Sequence, residues 1–376
     1  MTAKTSDILV IGGGMAGISA GALMAADASV TVLEAEANIG HHSTGRSAAI
    51  FIRNYGSAVL RTLNAASAPF LSAPEGVADS SLLSPRGEML VAAPDEIEAL
   101  AGYLKGSTGI EELTPEQAVE LVPILRRDRL AAAAIEWDAQ DIDVDRMLQG
   151  FVRLLRKRGG EVVTGARTGA LTRKNGIWTA TTDKSAFSAP IVVNAAGGWA
   201  DQLAALAGAP QVGLRPLRRS AALLPAPEGH DVTRWPLFAS ASERWYAKPE
   251  AGLLMVSPCD EDPVEPHDVW ADDMVLAEGL DRFEQAVTMP VTHVLKNWAG
   301  MRSFVADRNP VVGFSPGAEG FFWLAGQGGY GIQTGYAAGQ LAAALALGKP
   351  LPAEVADLGV TEESLSPKRF ALSDDT

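Results

Sequence analysis

At 376 residues, with 47% hydrophobic and 20% charged side chains, the chain is long enough for two domains and too apolar for a disordered one. Its 31 basic and 45 acidic residues leave a net charge of −14, which disfavours nucleic acid and anionic membranes as partners. One cysteine, Cys259, excludes an intrachain disulfide and fits a reducing compartment, so the expected location is the cytoplasm; no signal peptide is read, and no run of about 18–20 apolar residues predicts a spanning helix.

Ile8, Leu9, Val10 and Ile11 form the unbroken apolar run that a parallel strand buried on both faces requires. Gly12, Gly14 and Gly17 follow at the G-x-G-x-x-G spacing, with Ala16 inside the turn. The first glycine permits a tight turn, the second lets a pyrophosphate approach the backbone, and the third lets the next helix pack on the strand. That helix, predicted through Met24, would offer its N-terminal N–H groups to phosphates. A second strand, Val30–Leu33, ends in Glu34, close to the spacing of an acid that binds a ribose hydroxyl; an acid there argues against NADP. A bare strand-to-helix turn is the plainer alternative, but strand, helix, second strand and terminal acid all stand in order.

Beyond Ala35, the stretch NIGHHSTGRSAAIFIRNYG places Ser43, Thr44, Gly45, Arg46, Ser47 and Ala48 in a loop suited to running backbone and hydroxyls along a phosphate, with Arg46 as a candidate partner. Read alone, it is a Gly/Ser-rich loop capping the next helix. Helical spacing covers 56–71, and 82–92 reads as one strand with Glu88 and Leu90 opposite Met89 and Val91. Short helices are predicted at 95–105 and 115–121, a strand at 132–137, and an amphipathic helix at 143–158 capped by Asp143. Short strands fill 161–194, with Thr168 among them and a hairpin turn at Lys174-Asn175-Gly176. The last, Ile191–Asn194, runs into a small-residue turn holding Ala196 and Gly197.

Residues 214–302 are richer in tryptophan and proline, with strands at 219–224, 245–248 and 253–256 and an outer helix near 271–285. Phe321–Ala325 is a third buried strand, leading into a glycine turn with Gly328, Gly329, Tyr330, Gly331, Ile332 and Gln333, then a closing helix at 334–347; the tail from Leu365 is expected to fray. One dinucleotide site fed by three separated segments predicts a discontinuous cofactor domain, 1–82, 139–213 and 303–376, around a substrate domain, 83–138 and 214–302.

The segments HHSTGRSAA, LLSPRGEM, PILRRDRL, RRSAA, WAGMRSFVAD and GQGGYGIQT resemble the D-amino acid oxidase and glycine oxidase superfamily of FAD-dependent oxidoreductases, and more narrowly its D-arginine dehydrogenase branch. The resemblance implies an α/β fold with an FAD-binding Rossmann-like domain of the glutathione-reductase type and a mainly antiparallel substrate domain. The residues named in the three glycine segments, Glu34, the 43–48 loop and Thr168 would hold FAD. Relatives with covalent flavin use a cysteine, and Cys259 reads as an ordinary loop residue outside the matching segments, so the FAD is expected to be non-covalent.

No G-x-S-x-G motif is present and the five histidines show no metal-ligand spacing, so no metal is expected and the reactive centre belongs to the cofactor. An amino-acid substrate needs a fixed cation for its carboxylate, which a guanidinium binds bidentately. Arg302, in a strand leading toward the third glycine turn, is the candidate; taken alone it reads as a solvated surface charge, but the resemblance points to the same residue and implies that Tyr246 donates a hydroxyl to the same carboxylate. The resemblance places Glu88 against the substrate's side chain, favouring D-arginine and D-lysine, whereas alone it is an exposed strand acid. Tyr55 and Arg219 match substrate-pocket positions, and Tyr330 is a candidate wall over the flavin. Ile50 stands where the branch carries a histidine, which makes the pocket more apolar and brings in D-methionine, leucine, phenylalanine or proline.

The implied reaction takes the substrate α-hydrogen as hydride to the flavin and leaves an imino acid that water hydrolyses to a keto acid and ammonia. Oxygen or an electron carrier reoxidises the flavin, and the branch suggests a carrier. Two rivals stay open: the same fold acting on sarcosine-like secondary amines or 2-hydroxy acids, which Glu88 disfavours, and a non-catalytic flavin-binding subunit, which has no reason to keep Arg302 and Tyr246 together.

Overall fold

The computed structural model describes residues 3–370. The first half of the chain builds β1 (Ile8–Ile11), α1 (Met15–Met24), β2 (Val30–Leu33), α2 (Ala58–Ser72), β3 (Glu88–Ala92), α3 (Ile97–Leu104), β4 (Ile110–Leu113), β5 (Ala132–Glu136), α4 (Val144–Lys157), β6 (Glu161–Val163) and β7 (Ile191–Asn194). The second half adds α5 (Ala200–Ala207), β8 (Arg215–Leu224), β9 (Leu237–Ser240), β10 (Tyr246–Glu250), β11 (Leu253–Ser257), α6 (Asp273–Ala286), β12 (Lys296–Phe304), β13 (Val311–Phe314), β14 (Phe321–Ala325) and α7 (Gly335–Ala346).

Two sheets organise these elements. A six-stranded sheet runs in the order β6-β2-β1-β7-β14-β13, parallel except for the last pair. β1 lies inside it, and alternate residues serve opposite faces: Ile8 and Val10 join the core under α1, α4 and α7, while Leu9 and Ile11 join the core on the far side. Both faces being dry is why the run is apolar without alternation. An eight-stranded sheet runs β12-β8-β11-β10-β9-β3-β5-β4, antiparallel except where β9 pairs with β3. It packs one face on Phe238, Trp245 and Phe283 and turns Leu90, Leu237 and Ala239 to the other.

α1 carries small residues because it is pressed from two sides. A side chain on Gly21 would lie 3.0 Å from Val32, and one on Gly339 of α7 would lie 3.1 Å from Leu23. The Asp143 carboxylate accepts from the Arg146 N–H at 3.0 Å and caps α4, and the predicted hairpin forms with Asn175 and Gly176 both left-handed, at φ 52° and 82°.

Three expectations change. The predicted 82–92 strand breaks at Gly87, whose φ of 80° separates Leu83–Pro85 from β3, so the two halves join different sheets. β9 and β13 were not anticipated, the first being four residues long and the second interrupted by Gly313. Residues 365–370 do not fray: Leu365 is buried and Arg369 bonds Asp307 and the carbonyls of Asn309 and Pro310; the rest of the expected frayed tail, 371–376, lies outside the described residues. No helix among the described residues is long and apolar enough to cross a membrane.

A methyl group on Gly17 would lie 1.9 Å from the Gly12 carbonyl oxygen. Gly17→Ala is therefore expected to cost about 3 kcal/mol or more through backbone displacement and to yield protein largely free of flavin, checked by thermal melting and bound-flavin absorbance.

Candidate functional site

The carboxyl ends of β1, β2, β7 and β14 meet the inner face of the eight-stranded sheet around a cavity of about 440 Å³. One part is built from the three glycine segments. Gly12, Gly14, Ala16, Ala35, Ala196, Gly197, Gly328, Gly329, Gly331, Ile332 and Gln333 all line it, whereas Gly17 and Gly45 lie behind the wall, where they allow close backbone packing. Glu34 lines the cavity too, and its carboxylate accepts from the Gly13 N–H at 2.8 Å and the Glu36 N–H at 2.7 Å, bracing the turn. Thr44 accepts from the Met15 N–H at 3.0 Å, so the 43–48 loop closes over the start of α1. Ser43 donates to the Met301 carbonyl at 2.7 Å, and Ser47 to that of Thr44 at 3.1 Å; Ala48 lies on the wall.

Arg46 was expected beside a phosphate. Its guanidinium instead donates to the carbonyls of Val269 at 2.8 Å and Ala299 at 3.0 Å and pairs with Asp268, so it ties this loop to the eight-stranded sheet. The adjacent Glu36, His41 and His42 bring ligand-type atoms within 4.8 Å of one another, a cluster the histidine spacing did not predict. Arg167 already pairs with Glu36, and His42 packs its ring 4.6 Å from Trp199, burial holding its imidazole below the usual range.

The residues present suit a dinucleotide. His42 Nδ1, Thr168 Oγ1, Gln327 Nε2 and Gln333 Nε2 are buried without a hydrogen-bond partner among the described residues, and all four residues line this cavity. Buried polar atoms are ordinarily satisfied, so four orphans around one cavity point to a polar ligand that completes them.

The sequence model of the family described as "FAD dependent oxidoreductase" (DAO) matches residues 7–345. The chain belongs to this family. A bovine FAD-dependent oxidoreductase domain-containing protein 1 is 26% identical over 62% of this chain and 56% of its own length, so the chain spans little more than half of that relative. Among solved structures, L-proline dehydrogenase from P. horikoshii superposes with a TM-score of 0.81 at 22% identity, covering 98% of this chain and 99% of that one. L-α-glycerophosphate oxidase from Mycoplasma pneumoniae, with FAD bound, gives 0.82 at 16% identity over 92% and 95%. These likenesses establish the fold, and the family to which the chain belongs is FAD-dependent.

The rest of the cavity wall comes from the eight-stranded sheet and the 48–56 segment. Arg302 of β12 is half-buried there, held against Gly329, and has no hydrogen-bond or ion-pair partner among the described residues. Arg219 of β8 is buried and already engaged: it donates to the Asp260 carbonyl at 2.8 Å and to Glu261 at 3.1 Å. Tyr246, Tyr55 and Ile50 line the same wall, and burial raises the Tyr55 hydroxyl well above its ordinary range. Tyr330, expected over the flavin, is not in the wall. Its ring lies 4.8 Å from that of Tyr55 and packs with Leu60 and Phe304, so it backs Tyr55 from behind.

Glu88 is buried rather than exposed, and burial together with the neighbouring Glu136 carboxylate pushes its carboxyl up to about 8, against a lowering hydrogen bond from Tyr103. Sequence reasoning missed Tyr103, Glu243 and Cys259, which also line the cavity. Cys259, expected as an ordinary loop residue, sits at a left-handed φ of 55°, and burial pushes its thiol up to about 11. Tyr103 left little trace in the sequence, being one more apolar-bodied residue on the short helix IEALAGYL.

A folded-state Glu88 that keeps its proton up to about pH 8 loses stability relative to the unfolded chain as pH climbs from the ordinary glutamate value of 4.5 through 8. Glu88→Gln is expected to match the unsubstituted protein in Tm near pH 4.5 and to exceed it by about 2 °C or more at pH 8.5. Parallel Tm curves across that range would show that Glu88 ionises freely.

Proposed function

We propose that this FAD-dependent oxidoreductase oxidises D-amino acids at the α-carbon, with non-covalent FAD and with Arg302 receiving the substrate carboxylate. One observation carries this reading: Arg302 is a half-buried guanidinium on the cavity wall with no counter-ion among the described residues. An unpaired charge of this kind is costly to hold, and a planar fork of donors matches a carboxylate bidentately. Tyr246 and Tyr55 bring hydroxyls to the same wall, and Arg219 adds positive potential although its own donors are partly engaged.

When bound, the flavin supplies the two-electron acceptor for the substrate's α-carbon–hydrogen bond. The chain's task is to hold the carboxylate, orient the α-carbon and receive the side chain. Ile50, Leu90, Leu237 and Ala239 offer apolar walls near Glu88. A carboxyl that is neutral below about pH 8 accepts an uncharged side chain, and once ionised it pairs a cationic one. This dual character supports D-arginine and D-lysine alongside D-methionine and D-leucine, in keeping with the resemblance to the D-arginine dehydrogenase branch. A secondary amine or 2-hydroxy acid would use Arg302 equally and leave Glu88 idle. The Cys259 thiol stays protonated at neutral pH and offers no thiolate to a flavin ring. On this reading residues 1–82, 139–213 and 303–376 serve the cofactor, and 83–138 and 214–302 serve the substrate.

Anaerobic mixing of the yellow protein with D- and L-amino acids, sarcosine and 2-hydroxy acids is expected to bleach the flavin fastest with D-amino acids. Arg302→Met should weaken apparent substrate affinity by about 100-fold, as loss of a charge-assisted bidentate pair implies. Bleaching confined to sarcosine or hydroxy acids would discard the substrate class, and none at all would favour a non-catalytic flavoprotein. Acid precipitation should leave all of the FAD in the supernatant; flavin retained in the pellet would overturn the non-covalent assignment.

A further inference from the structure

Glu88 and Glu136 face each other in register on β3 and β5, yet they are treated differently. Glu136 is satisfied on both oxygens, Oε1 by the Arg53 N–H at 2.8 Å and Oε2 by the Asn54 side-chain amide at 2.7 Å. Glu88 has one partner among the described residues: the Tyr103 hydroxyl donates to its Oε2 at 3.1 Å. Its Oε1 has none, and no arginine or lysine pairs with the carboxyl. The groups facing Glu88 are Tyr103 from α3, Glu136 from β5 and Glu243 from the turn between β9 and β10, so no protein cation competes for the open oxygen.

Tyr103 is the one residue α3 contributes to the cavity wall. Its place is fixed from behind. Ser107 donates to the Tyr103 carbonyl at 2.5 Å, and Asn54 clamps Thr108 through both halves of its amide, at 2.9 and 3.0 Å, while also holding Glu136. The exit of α3 and the wall around the two glutamates are therefore joined through one asparagine. Burial raises the Tyr103 hydroxyl, so it remains a donor at every pH the protein meets.

We propose that Tyr103 is a positioning residue that sets side-chain selectivity: by donating to Oε2 it holds the Glu88 carboxyl with Oε1 open to the cavity, so that substrates ending in N–H donors are recognised as well as apolar ones. The proposal rests on the reading of this cavity as an amino-acid site. It adds a residue on a different element that acts through Glu88 and touches no reacting atom.

The test uses the flavin-loaded protein with Tyr103→Phe, which keeps the ring and removes only the hydroxyl. Anaerobic flavin reduction is followed with D-arginine and D-lysine against D-methionine and D-leucine between about pH 6 and pH 9, bracketing the Glu88 transition near 8. KM for the cationic pair is expected to rise about tenfold while kcat and the neutral pair stay within twofold, the scale of one hydrogen bond to a charged group. The pH at which the arginine-to-methionine preference rises should move upward, because a hydrogen bond that lowers the carboxyl is gone. In a Glu88→Gln background the preference should lose its pH dependence and Tyr103→Phe should add nothing. Equal changes for both substrate classes, or an unchanged preference and pH profile, would overturn the proposal and leave Tyr103 as packing. If the unsubstituted protein is reduced by none of these amino acids, the reading of the site falls and the selectivity proposal with it.

Discussion

In the turn after β1 the backbone leaves no room for side chains. A Cβ on Gly12 would stand 2.1 Å from the Ala195 carbonyl oxygen, and one on Gly17 would stand 1.9 Å from that of Gly12. This contact presses α1 onto the sheet and sets β7 against β1, and the cavity opens where those strands end. The 43–48 loop is built onto the same turn: Gly40 donates to the Gly13 carbonyl at 3.0 Å, Gly45 to that of Gly40 at 2.8 Å, and Thr44 caps the first N–H of α1. Arg46 then carries the constraint onward, because its guanidinium bonds the segments around Val269 and Ala299. A displacement at the glycine turn would reach both walls of the cavity through this chain of contacts.

Charge distribution separates scaffold from recognition within the cavity. Arg46, Arg219 and Glu136 have their partners inside the protein, and each fixes a segment in place. Among the described residues the Arg302 side chain has no such partner, and Glu88 has one, the Tyr103 hydroxyl. Holding an unpaired guanidinium and a half-satisfied carboxyl at a cavity wall costs stability, and the fold bears that cost beside the apolar side chains of Ile50, Leu90, Leu237 and Ala239. The part of the cavity built from the glycine segments shows the same logic in neutral form, with polar atoms of His42, Thr168, Gln327 and Gln333 that have no hydrogen-bond partner among the described residues.

Some of this was legible residue by residue. The apolar run at 8–11, the glycine spacing, Glu34 and the third strand at 321–325 placed the six-stranded sheet and its cofactor, because a buried parallel strand and a pyrophosphate turn each demand specific residue types locally. The α4 cap at Asp143 and the Asn175-Gly176 turn were legible for the same reason. The eight-stranded sheet was only partly so. β9 is short and pairs in parallel with β3, so its existence depends on a partner about 150 residues away rather than on its own pattern.

What the sequence by itself determined is the fold class and a dinucleotide site, since glycine conformation and strand burial act within a few residues of where they are written; FAD and its chemistry followed from the resemblance of whole segments to a known family. Tertiary structure alone decided which charges are spent and which are free. Arg46 and Arg302 look alike in the sequence, each a lone arginine in a motif, but one side chain meets two carbonyls and an aspartate from distant segments and the other meets no partner among the described residues. Packing decided two tyrosines in the same way, Tyr330 turning behind Tyr55 and Tyr103 reaching Glu88 from a helix outside the sheet. Hydrogen-bond partners and burial are properties of long-range packing, so they become readable only when the chain has folded.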